Sequence, residues 1–129
     1  MRKLLPILLS ALMFTGCASS NIQTNTYRQI SMDEAIAMMA EETGYIILDV
    51  RRADEFAAGH IPGAINVANE SIGTDELPEL PDKNQLIMVY CRSGRRSKEA
   101  AEKLVKLGYT NIVEFGGILD WKGEIITSQ

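Results

Sequence analysis

Apolar residues along this chain fall into two kinds of pattern. Tyr45-Ile46-Ile47-Leu48-Asp49-Val50 and Leu86-Ile87-Met88-Val89-Tyr90 are short, nearly continuous apolar runs rich in β-branched and aromatic residues. Such runs predict strands buried on both faces, as in a parallel sheet. Ile112-Val113-Glu114-Phe115 predicts a further strand, and Ala64 to Val67 a brief one after the break at Ile61-Pro62-Gly63. Elsewhere apolar positions recur every three or four residues. Met32, Ala35, Ile36 and Met39 form one such stripe, and Ala100, Ala101, Leu104, Val105 and Leu107 another, each predicting an amphipathic helix. Ser31-Met32-Asp33-Glu34 reads as a capping box for the first helix, and Gly44 and Gly108 close the two segments. Asp54 to Ala58 predicts a short helical turn closed by Gly59. Gly116-Gly117 reads as a turn leading to a short helix around Leu119 to Trp121, with Trp121 closing the core or the rim of a pocket. Residues 69–85, with Pro78, Pro81 and several acids, read as a solvated connection holding at most one helical turn. Strands alternating with helices predict an α/β fold with a central, mostly parallel sheet flanked by helices.

The first twenty residues belong to a different pattern. Arg2 and Lys3 precede the apolar stretch Leu4 to Phe14, which ends in Thr15-Gly16-Cys17-Ala18, the layout of a secretory signal. The stretch is shorter than the roughly 20 residues a spanning helix needs. The Gly16-Cys17 junction resembles a bacterial lipobox, although Phe14 stands where a small aliphatic residue is expected. That resemblance implies a signal peptide over 1–16, a lipidated Cys17 starting a polar tether over 17–26, and a folded domain over 27–127. The protein would then be exported and held in the cell envelope by a lipid anchor in the membrane, facing the periplasm. Ordinary cleavage after Ala18 is the alternative and gives a soluble periplasmic or secreted protein.

Composition changes the picture in two respects. A chain of 129 residues, 46% apolar and 23% charged, has the balance of one globular domain. Its net charge is −4, and loss of Arg2 and Lys3 takes it to −6, which argues against nucleic acid as a partner. Only two cysteines occur, Cys17 and Cys91, with a single histidine, His60, and no CxxC, so neither a metal site nor a cofactor is expected. Once Cys17 is lipidated or removed, Cys91 has no resolving partner, which argues against a disulfide-based redox sensor.

Cys91-Arg92-Ser93-Gly94-Arg95-Arg96 lies between a buried strand and the start of an amphipathic helix. Ligands of open parallel sheets bind beyond the carboxyl ends of the strands, where Cys91 falls. Amides of a tight loop, the positive end of a helix dipole and nearby arginines together cradle anions, and they favour the thiolate form of a cysteine. No general base is evident beside Cys91.

The stretches YIILDVRRADEFAAGHIPGAINV and IMVYCRSGRRSKEAAEKLVKLGYTNIVEFGGILDW resemble the rhodanese homology domain over nearly the whole folded region. The resemblance implies a rhodanese-like three-layer α/β domain and a sulfurtransferase of the thiosulfate type. In that reading Cys91 is catalytic. It attacks the outer sulfur of thiosulfate or a similar small anion, sulfite leaves, and the persulfide sulfur passes to cyanide or a thiol. Arg92, Ser93, Gly94, Arg95 and Arg96 would bind substrate, Arg96 having a structural role as its alternative. Asp49, Arg51, Glu55 and His60 match family positions and would order the scaffold, His60 as a turn-stabilising imidazole. Loop length separates relatives of the family. Cysteine-dependent phosphatases need an arginine six positions after the nucleophile, and here that position is Ser97. The loop therefore has the sulfur-type length. A second role implied by the family is a persulfide carrier or interaction module without turnover in the envelope, serving a protein sulfur acceptor. The intact CRSGRR loop favours transfer.

Overall fold

The computed structural model describes residues 26–128. The signal segment, Cys17 and all of the tether except Thr26 lie outside the described residues. In chain order the elements are β1 (Arg28–Gln29), α1 (Met32–Glu41), β2 (Ile46–Asp49), α2 (Ala53–Ala58), β3 (Ile65–Asn66), β4 (Ile87–Cys91), α3 (Arg95–Lys106) and β5 (Ile112–Gly117). Two 3-10 turns sit at Asn69–Ser71 and Ile118–Asp120. The sheet has the order β1-β5-β4-β2-β3, and every strand pairing in it is parallel. Helices cover both faces, as the alternation of patterns predicts.

Two-residue alternation along β4 decides which face each side chain meets. Ile87, Val89 and Cys91 join Ala100, Ala101 and Leu104 of α3 in one core cluster. Met88 and Tyr90 join Ala35 of α1 and Phe115 of β5 in the other. Cys91, the last residue of the central strand, therefore points to the α3 face.

Several sequence expectations need correction. Gly116-Gly117 is not a turn but the end of β5, where the pairing with β4 shifts from Val89↔Glu114 to Cys91↔Gly117. The extra residue makes a bulge, and Gly116 absorbs it at φ +93. Residues 69–85 are not simply a solvated connection, because Ile72, Leu77 and Leu80 are buried in the α3-side core and the Tyr109 hydroxyl donates to the Leu80 carbonyl at 2.6 Å. Their irregular spacing among acids and prolines leaves no periodic signal. Helix α1 stops at Glu41 before Gly44, and of its stripe only Ala35 is fully buried, with Ile36 exposed. The two-residue edge strand β1 was too short to read from the pattern.

Candidate active site

The site is built where β4 runs into α3. Cys91 is 1% exposed, whereas Arg92 and Ser93 project outward. Gly94 then turns the chain at φ 118 and ψ −18, a left-handed conformation that suits glycine. This turn aims the Gly94 amide back at the sulfur, donating to Cys91 Sγ at 3.0 Å. Helix α3 starts at the next residue, so its unpaired amides and positive dipole end lie beside the thiol. The loop rests directly on β5. A Cβ at Gly117 would stand 2.0 Å from the Arg92 carbonyl oxygen and 2.5 Å from the Ser93 nitrogen, so no larger residue fits while the loop keeps this place.

A depression of about 340 Å³ opens over the loop, lined by Arg52, Glu70, Arg92, Ser93, Arg95 and Arg96. Its arginines differ in how far their charge is already engaged. Among the described residues Arg92 has no carboxylate within ion-pair distance. Arg95 is exposed and pairs with Glu99 at 2.9 Å, one helical turn along. Arg96 lines the depression too, but its two terminal nitrogens fork onto Glu55 at 2.6 and 3.0 Å, tying α3 to α2. Hydrogen bonding from Arg96, opposed in part by burial, holds the Glu55 carboxyl down at about 2. Glu55 thus belongs to the loop's support, and Arg96 commits one donor of each terminal nitrogen there. Arg52 was missed by the sequence reading. It is exposed and shared with Asp54 and Glu55, and its only signal was a second arginine following Arg51. Glu70 opposes anion binding from the rim.

Beneath the loop lies a polar chain that the sequence reading also missed. Ser97 is fully buried, and its hydroxyl accepts from the Cys91 thiol at 3.4 Å and donates to Glu114 Oε1 at 2.7 Å. The carbonyls of Gly94 and Gly116 lie 2.9 and 3.3 Å from the same hydroxyl. Glu114 is 2% exposed, and its Oε1 also accepts from the Gly116 amide at 2.9 Å. These groups meet because Glu114, two residues beyond Ile112, shares the α3-side face of the sheet with Val89 and Cys91. The available signal was an acid inside an otherwise apolar strand, Ile112-Val113-Glu114-Phe115. Ser97 entered the sequence reading only as the place where an arginine is absent.

Asp49, Arg51 and His60 form a separate assembly at the end of β2. Arg51 reaches the Asp49 carboxylate through Nε at 3.0 Å and Nη2 at 2.7 Å, and Nη2 also donates to the Gly59 carbonyl at 2.6 Å. Both side chains are buried. The His60 ring stacks on Phe56 with centroids 3.7 Å apart. Its Nδ1 lies 2.8 Å from the Phe56 carbonyl, which can only accept, so Nδ1 carries the proton. Backbone bonds of 2.9 and 3.0 Å join His60 to Ile126. No hydrogen bond among the described residues links these three side chains to Cys91. Trp121 packs half-buried against the α1-side core, and its indole nitrogen donates to the Glu124 carbonyl at 3.0 Å.

The comparisons with known proteins agree with this architecture. Residues 31–124 match the family described as the rhodanese-like domain. The chain is 37% identical over 73 residues to "Thiosulfate sulfurtransferase PspE" of Escherichia coli K12, an alignment covering 57% of this chain and 70% of the relative. It is 33% identical over 97 residues to "Thiosulfate sulfurtransferase GlpE" of Pseudomonas entomophila, covering 74% of this chain and 85% of the relative. The solved structure "rhodanese with anions from E. coli" superposes with a TM-score of 0.59 at 32% identity, covering 64% of this chain and 98% of that one.

Proposed function

The chain belongs to the rhodanese-like family, and from that premise we propose that it is a thiosulfate-type sulfurtransferase carrying sulfur as a persulfide on Cys91. The observation that carries the reading is the Gly94 amide on Cys91 Sγ at the open start of α3, under a depression rimmed by arginines. In the first half-reaction the Cys91 thiolate attacks the outer sulfur of thiosulfate. The new S–S bond forms as the donor's own S–S bond breaks, and sulfite leaves with the electron pair. In the second, cyanide or a thiol takes the terminal sulfur and Cys91 returns as thiolate. Arg92, which has no carboxylate within ion-pair distance among the described residues, draws in the dianionic donor, with Arg95 and Arg52 adding to the field. The loop amides and helix start then stabilise the anionic sulfur. The two similar thiosulfate sulfurtransferases support this choice of donor.

Intact mass after thiosulfate treatment is expected to rise by one sulfur atom, and thiocyanate to form when cyanide follows. Cys91→Ser should abolish both. An unmodified Cys91, or hydrolysis of an aryl phosphate faster than sulfur transfer, would overturn the proposal. A persulfide that forms but passes only to a protein would select the carrier role instead. For localisation we propose that Cys17 is lipidated and places the domain on the periplasmic face of a membrane. The support is the Gly16-Cys17 junction, and fatty-acid labelling lost in Cys17→Ser is the expected result.

A further inference from the structure

We infer that Ser97 and Glu114 form a proton relay that takes the thiol proton of Cys91, with Glu114 as the buried acceptor. The inference deepens the proposed function and rests on Cys91 being the sulfur carrier.

Three features of the geometry carry it. First, the three groups are in series. Cys91 Sγ is 3.4 Å from Ser97 Oγ, which is 2.7 Å from Glu114 Oε1. Second, a serine hydroxyl has one proton, and the shortest of its contacts is the one to Glu114. With that proton directed at the carboxylate, a lone pair of Ser97 is left to face the thiol. Third, Glu114 is 2% exposed and has no lysine or arginine within ion-pair distance among the described residues. Among the described residues its Oε1 accepts only from the Ser97 hydroxyl and the Gly116 amide, and the residue lines the depression that also holds Lys98 and Asp120.

The relay moves that charge. The Cys91 proton passes to Ser97 Oγ as the Ser97 proton passes to Glu114 Oε1. One S–H and one O–H bond break, two O–H bonds form, and the products are a thiolate, an intact serine hydroxyl and a neutral carboxylic acid. Net charge is unchanged. The negative charge leaves a carboxylate that pairs with no lysine or arginine among the described residues and moves to Sγ, where the Gly94 amide donates and the start of α3 lies alongside. Both hydrogen bonds reverse direction without displacement of heavy atoms. Ser97 then donates to the thiolate alongside Gly94.

The groups around Glu114 set where the relay operates. From α3 come Ser97 and, lining the adjoining depression, Lys98. Asp120 of the following 3-10 turn lines the same depression. Tyr27, just before β1, has its phenol pushed up by burial, then by Glu102 and Glu114. The neighbour on β4, Val89, is apolar.

A pair that holds one proton between two groups keeps a constant thiolate fraction over the pH range in which neither the first proton is added nor the second lost. Alkylation of Cys91 by iodoacetamide in the wild-type chain is therefore expected to show a plateau in its pH profile, followed by a rise at higher pH. Glu114→Gln should remove the plateau and leave a one-step profile, slower at the acidic end of the former plateau by about tenfold, equivalent to about 1.4 kcal/mol. Ser97→Ala should do the same. Infrared spectroscopy reads the acceptor without either variant. At plateau pH the wild type should show a protonated carboxyl band that disappears in Cys91→Ser, whose hydroxyl has no proton to give. A one-step wild-type profile would overturn the relay, as would a carboxyl band absent from wild type or retained in Cys91→Ser. None of these measurements uses a sulfur donor. Failure of thiocyanate formation with an intact plateau would thus count against the sulfurtransferase and not against the relay.

Discussion

Helix α1 starts at Ser31, whose hydroxyl accepts from the Glu34 amide at 3.1 Å while Glu34 Oε1 accepts from the Ser31 amide at 3.4 Å. Asp33 and Glu34 fill its first turn. Helix α3 starts at Gly94, which has no side chain to cap it, and its first turn carries Arg95 and Arg96 with no acid. The first start satisfies its amides and dipole from its own residues. The second leaves them open and adds cations that oppose the dipole, an effect of about 0.3–1 kcal/mol for an exposed unpaired charge that the pairs with Glu99 and Glu55 reduce here. Helix α3 is held by other means, with Ala100, Ala101 and Leu104 fully buried and Lys103 and Lys106 in its last turn, where cations suit the dipole. A helix start that is poor for stability and rich in positive potential is one reserved for an anion.

The largest effect expected at the reserved start comes from Gly117→Ala. The added methyl would lie 2.0 Å from the Arg92 carbonyl oxygen, so the loop must lift off β5. Overpacking of this kind costs about 1–3 kcal/mol. Displacement of a reacting group by about 1 Å can lower turnover on the order of 100-fold. Thiocyanate formation should fall by that factor in protein that still unfolds cooperatively on denaturant titration. Full activity in this variant would show that β5 does not position the loop.

Smaller effects should rank the arginines. Arg92→Ala is expected to lower kcat/KM for thiosulfate about tenfold, equivalent to about 1.4 kcal/mol. Arg95→Ala should lower it less, because Glu99 already engages that charge. In both variants stability should stay within about 0.5 kcal/mol, as for surface changes generally. A larger loss in Arg95→Ala than in Arg92→Ala would contradict the division of roles drawn from the ion pairs.

At the self-satisfied start, Ser31→Ala should lower stability by about 1 kcal/mol and leave thiosulfate kinetics unchanged. Denaturation midpoints and kcat/KM measured on one preparation would check both halves. Any loss of activity comparable to that in Arg92→Ala would erase the contrast between the two helices.

Much of this was legible in the sequence because it depends on neighbours along the chain. Continuous apolar runs placed β2 and β4, spacing placed α1 and α3, and the capping box needed only residues 31–34. Cys91 could be set at a strand end and its loop measured by counting to Ser97. What the sequence did not reveal depends on which side chains face one another across elements. The fork from Arg96 onto Glu55 joins residues 41 apart, and the Ser97–Glu114 bond joins residues 17 apart. The bulge between β4 and β5 brings Gly117 opposite Cys91, an outcome of strand register that no local pattern encodes. Hydrophobic periodicity records whether a residue is covered, since that follows from the free energy of removing apolar surface from water. It does not record what covers it. A buried acid such as Glu114 therefore breaks the apolar pattern visibly, while its partner is decided only when the sheet and α3 pack together.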